Sequence, residues 1–103
     1  MNAENSKASC LHLVLKSNRS ALEACLLATR PGDSLLFVDT GVCLLMQLEL
    51  NFSSQTEAKI FCLAADVNAH GIGSYVEKLG IAVVDDQQWA HLAVRHPHCL
   101  SWK

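Results

Sequence analysis

The chain has 103 residues, a net charge of −2 and an apolar fraction of 50%, with charged residues at only 17%. That length fits one domain and leaves no room for two. The apolar content excludes disorder, the charge balance argues against nucleic-acid binding by a basic surface, and 5 Gly with 2 Pro exclude collagen-like or low-complexity sequence.

Residues 1–9 are polar and read as a flexible N-terminal extension, with neither the basic start nor the apolar stretch of a signal peptide. Leu11 to Leu15 reads as a first strand, apolar on both faces as in a covered parallel sheet. Ser20 and Glu23 have the spacing of a capping box, and the helix they open carries Leu22, Cys25, Leu26 and Thr29 before Pro31-Gly32 ends it. Ser34 to Asp39 is a second strand, followed by a tight exit at Gly41 and a short helix over Val42 to Met46. Asn51 to Thr56 is a polar loop, and Lys59 to Ala64 a third strand. Asp66 to Gly71 is a short helix, capped by Asp66 and closed by the glycine. Gly80 to Asp85 is a fourth strand, Asp86 to His96 a last helix stopped before Pro97, and His98 to Trp102 a fifth strand.

Strands alternating with helices predict an α/β domain, a parallel sheet of about five strands with helices on both faces. Half-apolar composition in so small a domain also predicts an apolar surface patch, and hence a partner. No apolar run approaches the about 20 residues that a membrane span needs. The five cysteines (Cys10, Cys25, Cys43, Cys62 and Cys99) are odd in number and form no C-x-x-C pair, so they read as free thiols of a reducing cytoplasm.

The order and spacing of several pieces resemble the DsrH/TusB family of sulfur-relay subunits. These are Leu11-His12 with Lys16-Ser17, Cys25-Leu26, Gly32-Asp33-Ser34-Leu35-Leu36, Gly41-Val42, Asp66 to Gly71, Val84-Asp85, and His96-Pro97 with Trp102. Asp39-Thr40-Gly41-Val42 in place of the family's Asp-Gly-Val, His70 in place of Arg, and Asp86 in place of an aromatic depart from its pattern. The resemblance implies a three-layer, flavodoxin-like fold over residues 10–103. It also implies a place beside two homologous subunits, TusC/TusD-like or DsrE/DsrF-like, in a heterohexamer that hands sulfur to a downstream acceptor protein. One branch of such relays leads to thiolation of the tRNA wobble uridine and the other to sulfur oxidation. The C-terminal His96-Pro97 and Trp102 resemble the tRNA branch. Any catalysis is at most that of a sulfur carrier dependent on its partners, with no membrane and no direct nucleic acid involved.

Sulfur relay needs an accessible thiolate. The resemblance makes Cys25 the candidate carrier, since the sulfur-oxidation branch holds a cysteine there. The residues alone favour a buried, inert thiol on an apolar helix face. His12 is a candidate base for Cys25, against the reading of a satisfied strand histidine. Cys43, after the Gly41 exit, is the second thiol, because ligands of open α/β sheets bind beyond strand carboxyl ends. Cys62 reads as core. His96 to Cys99 has the residues of a zinc site, but adjacent His98 and Cys99 on a strand point to opposite faces, so no metal is expected. Gly71-Ile72-Gly73 follows a helix and is too short for a dinucleotide fingerprint, so no cofactor is expected. Trp102 is the candidate interface anchor.

Overall fold

In a computed structural model, residues 9–49 and 51–103 are described. Five strands form one sheet: β1 (Cys10–Val14), β2 (Ser34–Phe37), β3 (Lys59–Leu63), β4 (Ala82–Val84) and β5 (His98–Trp102). All pairings are parallel, in the order β4-β3-β2-β1-β5. Among the described residues four α-helices connect them, α1 (Arg19–Ala28), α2 (Ala64–His70), α3 (Gly73–Leu79) and α4 (Asp86–Arg95), together with 3₁₀ segments at Asp39–Gln47 and Phe52–Gln55.

Strand periodicity explains the layers. Leu35, Phe37, Ile60 and Cys62 alternate onto one face with Val14, under Leu22 and Cys25 of α1, Val42 and Leu45 of the first 3₁₀ segment, Val67 of α2 and Val76 of α3. Leu11, Leu36, Leu63 and Val84 share the other face with Trp89 and Leu92 of α4. The steps from β1 to β4 each move one place in the same direction, and the chain then returns across the sheet to β5. Among the described residues, this return leaves α4 as the helix on the second face. None of its residues is fully buried, and Val94 on it is 84% exposed.

The helix starts differ from the sequence reading in instructive ways. Asn18, not Ser20, caps α1; its Oδ1 accepts from the backbone N–H groups of Ser20 and Ala21. Asx and Ser compete for this position on near-equal terms, and the helix begins earlier than the capping-box pattern places it. Asp66 does not cap α2, which starts at Ala64; its carboxylate reaches across to the N–H of Asp39 at 2.6 Å. Asp85 caps α4 in a capping box with Gln88. Gly71 and Gly80 close α2 and α3 in the left-handed conformation. Helix α3 follows α2 after a single turn and has no counterpart in the sequence reading. The expected short helix after Gly41 is a nine-residue 3₁₀ segment that starts at Asp39, whose φ of 52° is left-handed.

Of the expected N-terminal extension, residues 1–8 lie outside the described residues. Ser9 is not frayed: it is buried, and its hydroxyl meets His96 Nδ1 at 3.1 Å. Among the described residues no helix is long and apolar enough to cross a membrane.

Candidate functional site

The amino-terminal half of β1 and the turn before β2 build a buried polar chain. His12 is 1% exposed and Asp33 5%. Asp33 Oδ2 takes His12 Nε2 at 2.9 Å and the Arg30 N–H at 3.0 Å, while Oδ1 takes the Cys10 N–H at 2.9 Å. Trp102 donates its indole N–H to His12 Nδ1 at 3.0 Å. An indole N–H can only donate, so Nδ1 holds a lone pair and the imidazole proton sits on Nε2, aimed at Asp33. Burial acts to raise the Asp33 pKa, but the hydrogen bonds from His12 and from the N–H groups of Arg30 and Cys10 outweigh it. The net effect holds the carboxyl below its ordinary value.

This arrangement leaves His12 no nitrogen for a thiol. Its partners are Asp33 and Trp102, not Cys25, so the expected base role for Cys25 has no geometry behind it. Cys25 itself is fully buried, in the core under α1. Its Sγ lies 4.0 Å from Thr29 Oγ1, and burial pushes the thiol up to about 11. In this conformation the thiol is protonated at neutral pH and out of reach of a donor. Cys62 is buried with its thiol likewise pushed up to about 11, and Cys10 is raised too, chiefly by burial. Trp102 is turned inward, half-buried against the first-face core and stacked at a tilt on His12, with 5.9 Å between ring centroids.

Beside this chain lie two clefts of about 370 and 360 Å³. Ser34, Lys59, Phe61, Arg95 and His96 border the first, and Cys10, Arg30, His98 and Leu100 the second. Asp33 sits between them, bordering both. His96 spans Ser9 and Ser34 through its two nitrogens, each at 3.1 Å. Burial, with Arg95 and His12 adding to it against Asp33, lowers its pKa.

The family model described as "DsrH like protein" matches residues 16–99. The chain belongs to the DsrH family. It is thus a sulfur-relay-related protein, of a family that supplies subunits of multiprotein relay complexes. Among solved structures it is similar to BT1422, a conserved protein of unknown function from Bacteroides thetaiotaomicron. The TM-score is 0.68 at 15% identity, over 98% of each chain. At that identity the likeness is one of fold, and it supports the α/β reading. No curated protein matches the chain.

The remaining thiols of this DsrH-family chain lie at opposite ends of the sheet. Cys99 is exposed on the edge strand β5. Among the described residues no cluster of three or more His, Cys, Asp or Glu side chains could hold a metal. Cys43 is half-buried, and its Sγ lies 3.5 Å from Nδ1 of His70, the last residue of α2. The sequence singles out Cys43 but not its partner. Asp33 stands out in the sequence only within the Gly-Asp strand entry. A polar residue facing an apolar strand is the available signal for such a buried pair, and it does not say which residue answers.

Proposed function

We propose that the chain is a subunit of a cytoplasmic sulfur-relay complex that moves persulfide sulfur toward 2-thiolation of the tRNA wobble uridine. Its contribution through Cys25 is packing, not sulfur carriage. The burial of Cys25 under α1 carries this reading: a carrier thiol must meet a donor persulfide, and this one meets Thr29.

Family membership supports the relay, and the exposed apolar side chains support a partner-bound state. Leu27 is 90% exposed, with Val83, Val94 and Leu100 also open to solvent. These fit homologous subunits of TusC/TusD or DsrE/DsrF type docking around the chain in a heterohexamer. The ending His96-Pro97 with Trp102 favours the tRNA branch by resemblance. A net charge of −2 fits a protein that leaves the nucleotide to a separate downstream acceptor and enzyme.

A second reading, sulfur oxidation, is favoured by the cysteine at position 25, where that branch carries one. A knockout host complemented with this chain and its partners separates the two. Restored 2-thiouridine in tRNA supports the first reading, and restored sulfur oxidation without it supports the second. In the same assay Cys25→Ser is expected to leave sulfur flux unchanged, and a flux loss with intact assembly would return Cys25 to the role of carrier.

A further inference from the structure

We propose that Cys43 and His70 form a surface-facing thiol–imidazole pair that accepts sulfane sulfur from a protein persulfide. The inference rests on the relay reading for its donor, and on geometry for the site.

Cys43 lies in the 3₁₀ segment that leaves the carboxyl end of β2, and His70 ends the helix that leaves the carboxyl end of β3. The space beyond strand carboxyl ends is where open α/β sheets place reacting ligands. Two contacts spaced four residues apart on each element hold these segments together: Asp66 accepts from the Asp39 N–H, and His70 meets Cys43. Together they bring the His70 imidazole beside the Cys43 thiol. A nucleophile within hydrogen-bond reach of a base is the pairing that activates a thiol for nucleophilic attack. The other thiols differ. Cys10, Cys25 and Cys62 are buried, and Cys99 is exposed with no hydrogen-bonded base among the described residues.

In the tautomer with the proton on Nε2, His70 Nδ1 takes the Cys43 thiol proton. The thiolate attacks the outer sulfur of the donor persulfide, and a bond forms between Cys43 Sγ and that sulfur. The donor S–S bond breaks with its electron pair on the inner sulfur, which leaves as a thiolate. His70 returns the proton to it. A thiol and a persulfide have exchanged places, with no net oxidation.

The test treats the purified full chain with glutathione persulfide and follows each cysteine peptide by mass spectrometry after alkylation. Cys99 is the internal control for exposure alone. The Cys43 peptide is expected to gain one sulfur at least about tenfold faster than the Cys99 peptide. His70→Gln should slow Cys43 by about tenfold or more without changing Cys99, and Cys43→Ser should abolish the fast phase. Equal rates at Cys43 and Cys99 would overturn the proposal, as would a His70→Gln protein with wild-type circular dichroism and an unchanged Cys43 rate. If His70→Gln does not fold, the wild-type ratio of the two rates still decides. Partner assembly is measured separately, so a bare Cys43 removes this site without touching the relay reading.

Discussion

Asp33→Ala removes the centre of the buried polar chain, and its cost follows from what is left behind. Three donors lose their acceptor: His12 Nε2–H, the Cys10 N–H and the Arg30 N–H. His12 cannot compensate by changing tautomer, because Trp102 requires a lone pair on Nδ1. A buried donor without a partner costs about 1–3 kcal/mol. Cys10 and His12 are buried, while Arg30 is exposed and can turn to water. Two stranded donors give about 2–6 kcal/mol, a large share of the roughly 5–15 kcal/mol that stabilises a typical domain. Asp33→Asn should cost less, about 1–3 kcal/mol, because one amide oxygen replaces two carboxylate oxygens and one donor then faces an NH₂ group. Urea unfolding at neutral pH followed by circular dichroism measures both. The network also predicts coupling: His12→Phe removes the principal buried donor, so Asp33→Ala should cost at least about 1 kcal/mol less in that background. The sign with pH is fixed as well. A folded pKa below the ordinary 3.8 makes the Asp33 contribution complete above 3.8, and it is lost as pH falls through the lower folded value. Asp33→Asn should flatten that acid limb. A cost under about 0.5 kcal/mol for Asp33→Ala, or strict additivity with His12→Phe, would refute the network as a source of stability.

His96 has a folded pKa below its ordinary 6.5, so its neutral form is the native one. Stability should be complete above 6.5 and decline as pH falls from 6.5 to the folded value, a limb that urea midpoints at pH values on either side of 6.5 would reveal and His96→Gln would remove. At Gly41 a Cβ would fall well inside contact distance of the Val14 carbonyl oxygen, so Gly41→Ala should lower stability by about 3 kcal/mol in thermal unfolding. With a colorimetric disulfide reagent the native chain should expose Cys99 and Cys43 promptly, while Cys25 and Cys62, each pushed up to about 11, react only on unfolding. A fast-reacting Cys25 in the native protein would contradict its burial.

The strand–helix alternation was legible because each apolar run is short, bounded by turn residues, and buried on both faces. Strand β2 carried the clearest signal, with Leu35, Leu36 and Phe37 apolar without a break. The paired use of His12 was not legible. Its partners stand 21 and 90 residues away, and local spacing carries no information about which of several polar residues fills such a place. The same limit hid His70 behind Cys43, 27 residues apart. Cys25 was ambiguous for a different reason: position on an apolar helix face is the same for an inert thiol and for one at an interface, and only the packing of Thr29 and the first-face core decides its exposure.

The two histidine pairs show why one end of the sheet is built for stability and the other is open to chemistry. At His12 both ring nitrogens are committed, to a carboxylate and to an indole, inside a site nearly closed to water. Moving a proton there breaks a buried hydrogen bond, so the pair resists the exchange that catalysis needs. At His70 the imidazole is exposed, and among the described residues Cys43 is its hydrogen-bond partner. A proton can pass from Sγ to Nδ1 and on to a leaving group with water nearby and no buried partner stranded. Thiol chemistry is therefore compatible with the Cys43 end and not with the Cys25 interior, unless α1 moves. Displacing α1 would expose Leu22 together with Cys25, at about 1.5–3 kcal/mol for the leucine alone. A partner subunit could offset that cost only by covering the same apolar surface. Carriage on Cys25 thus requires an assembly-induced opening, whereas the Cys43–His70 pair requires none.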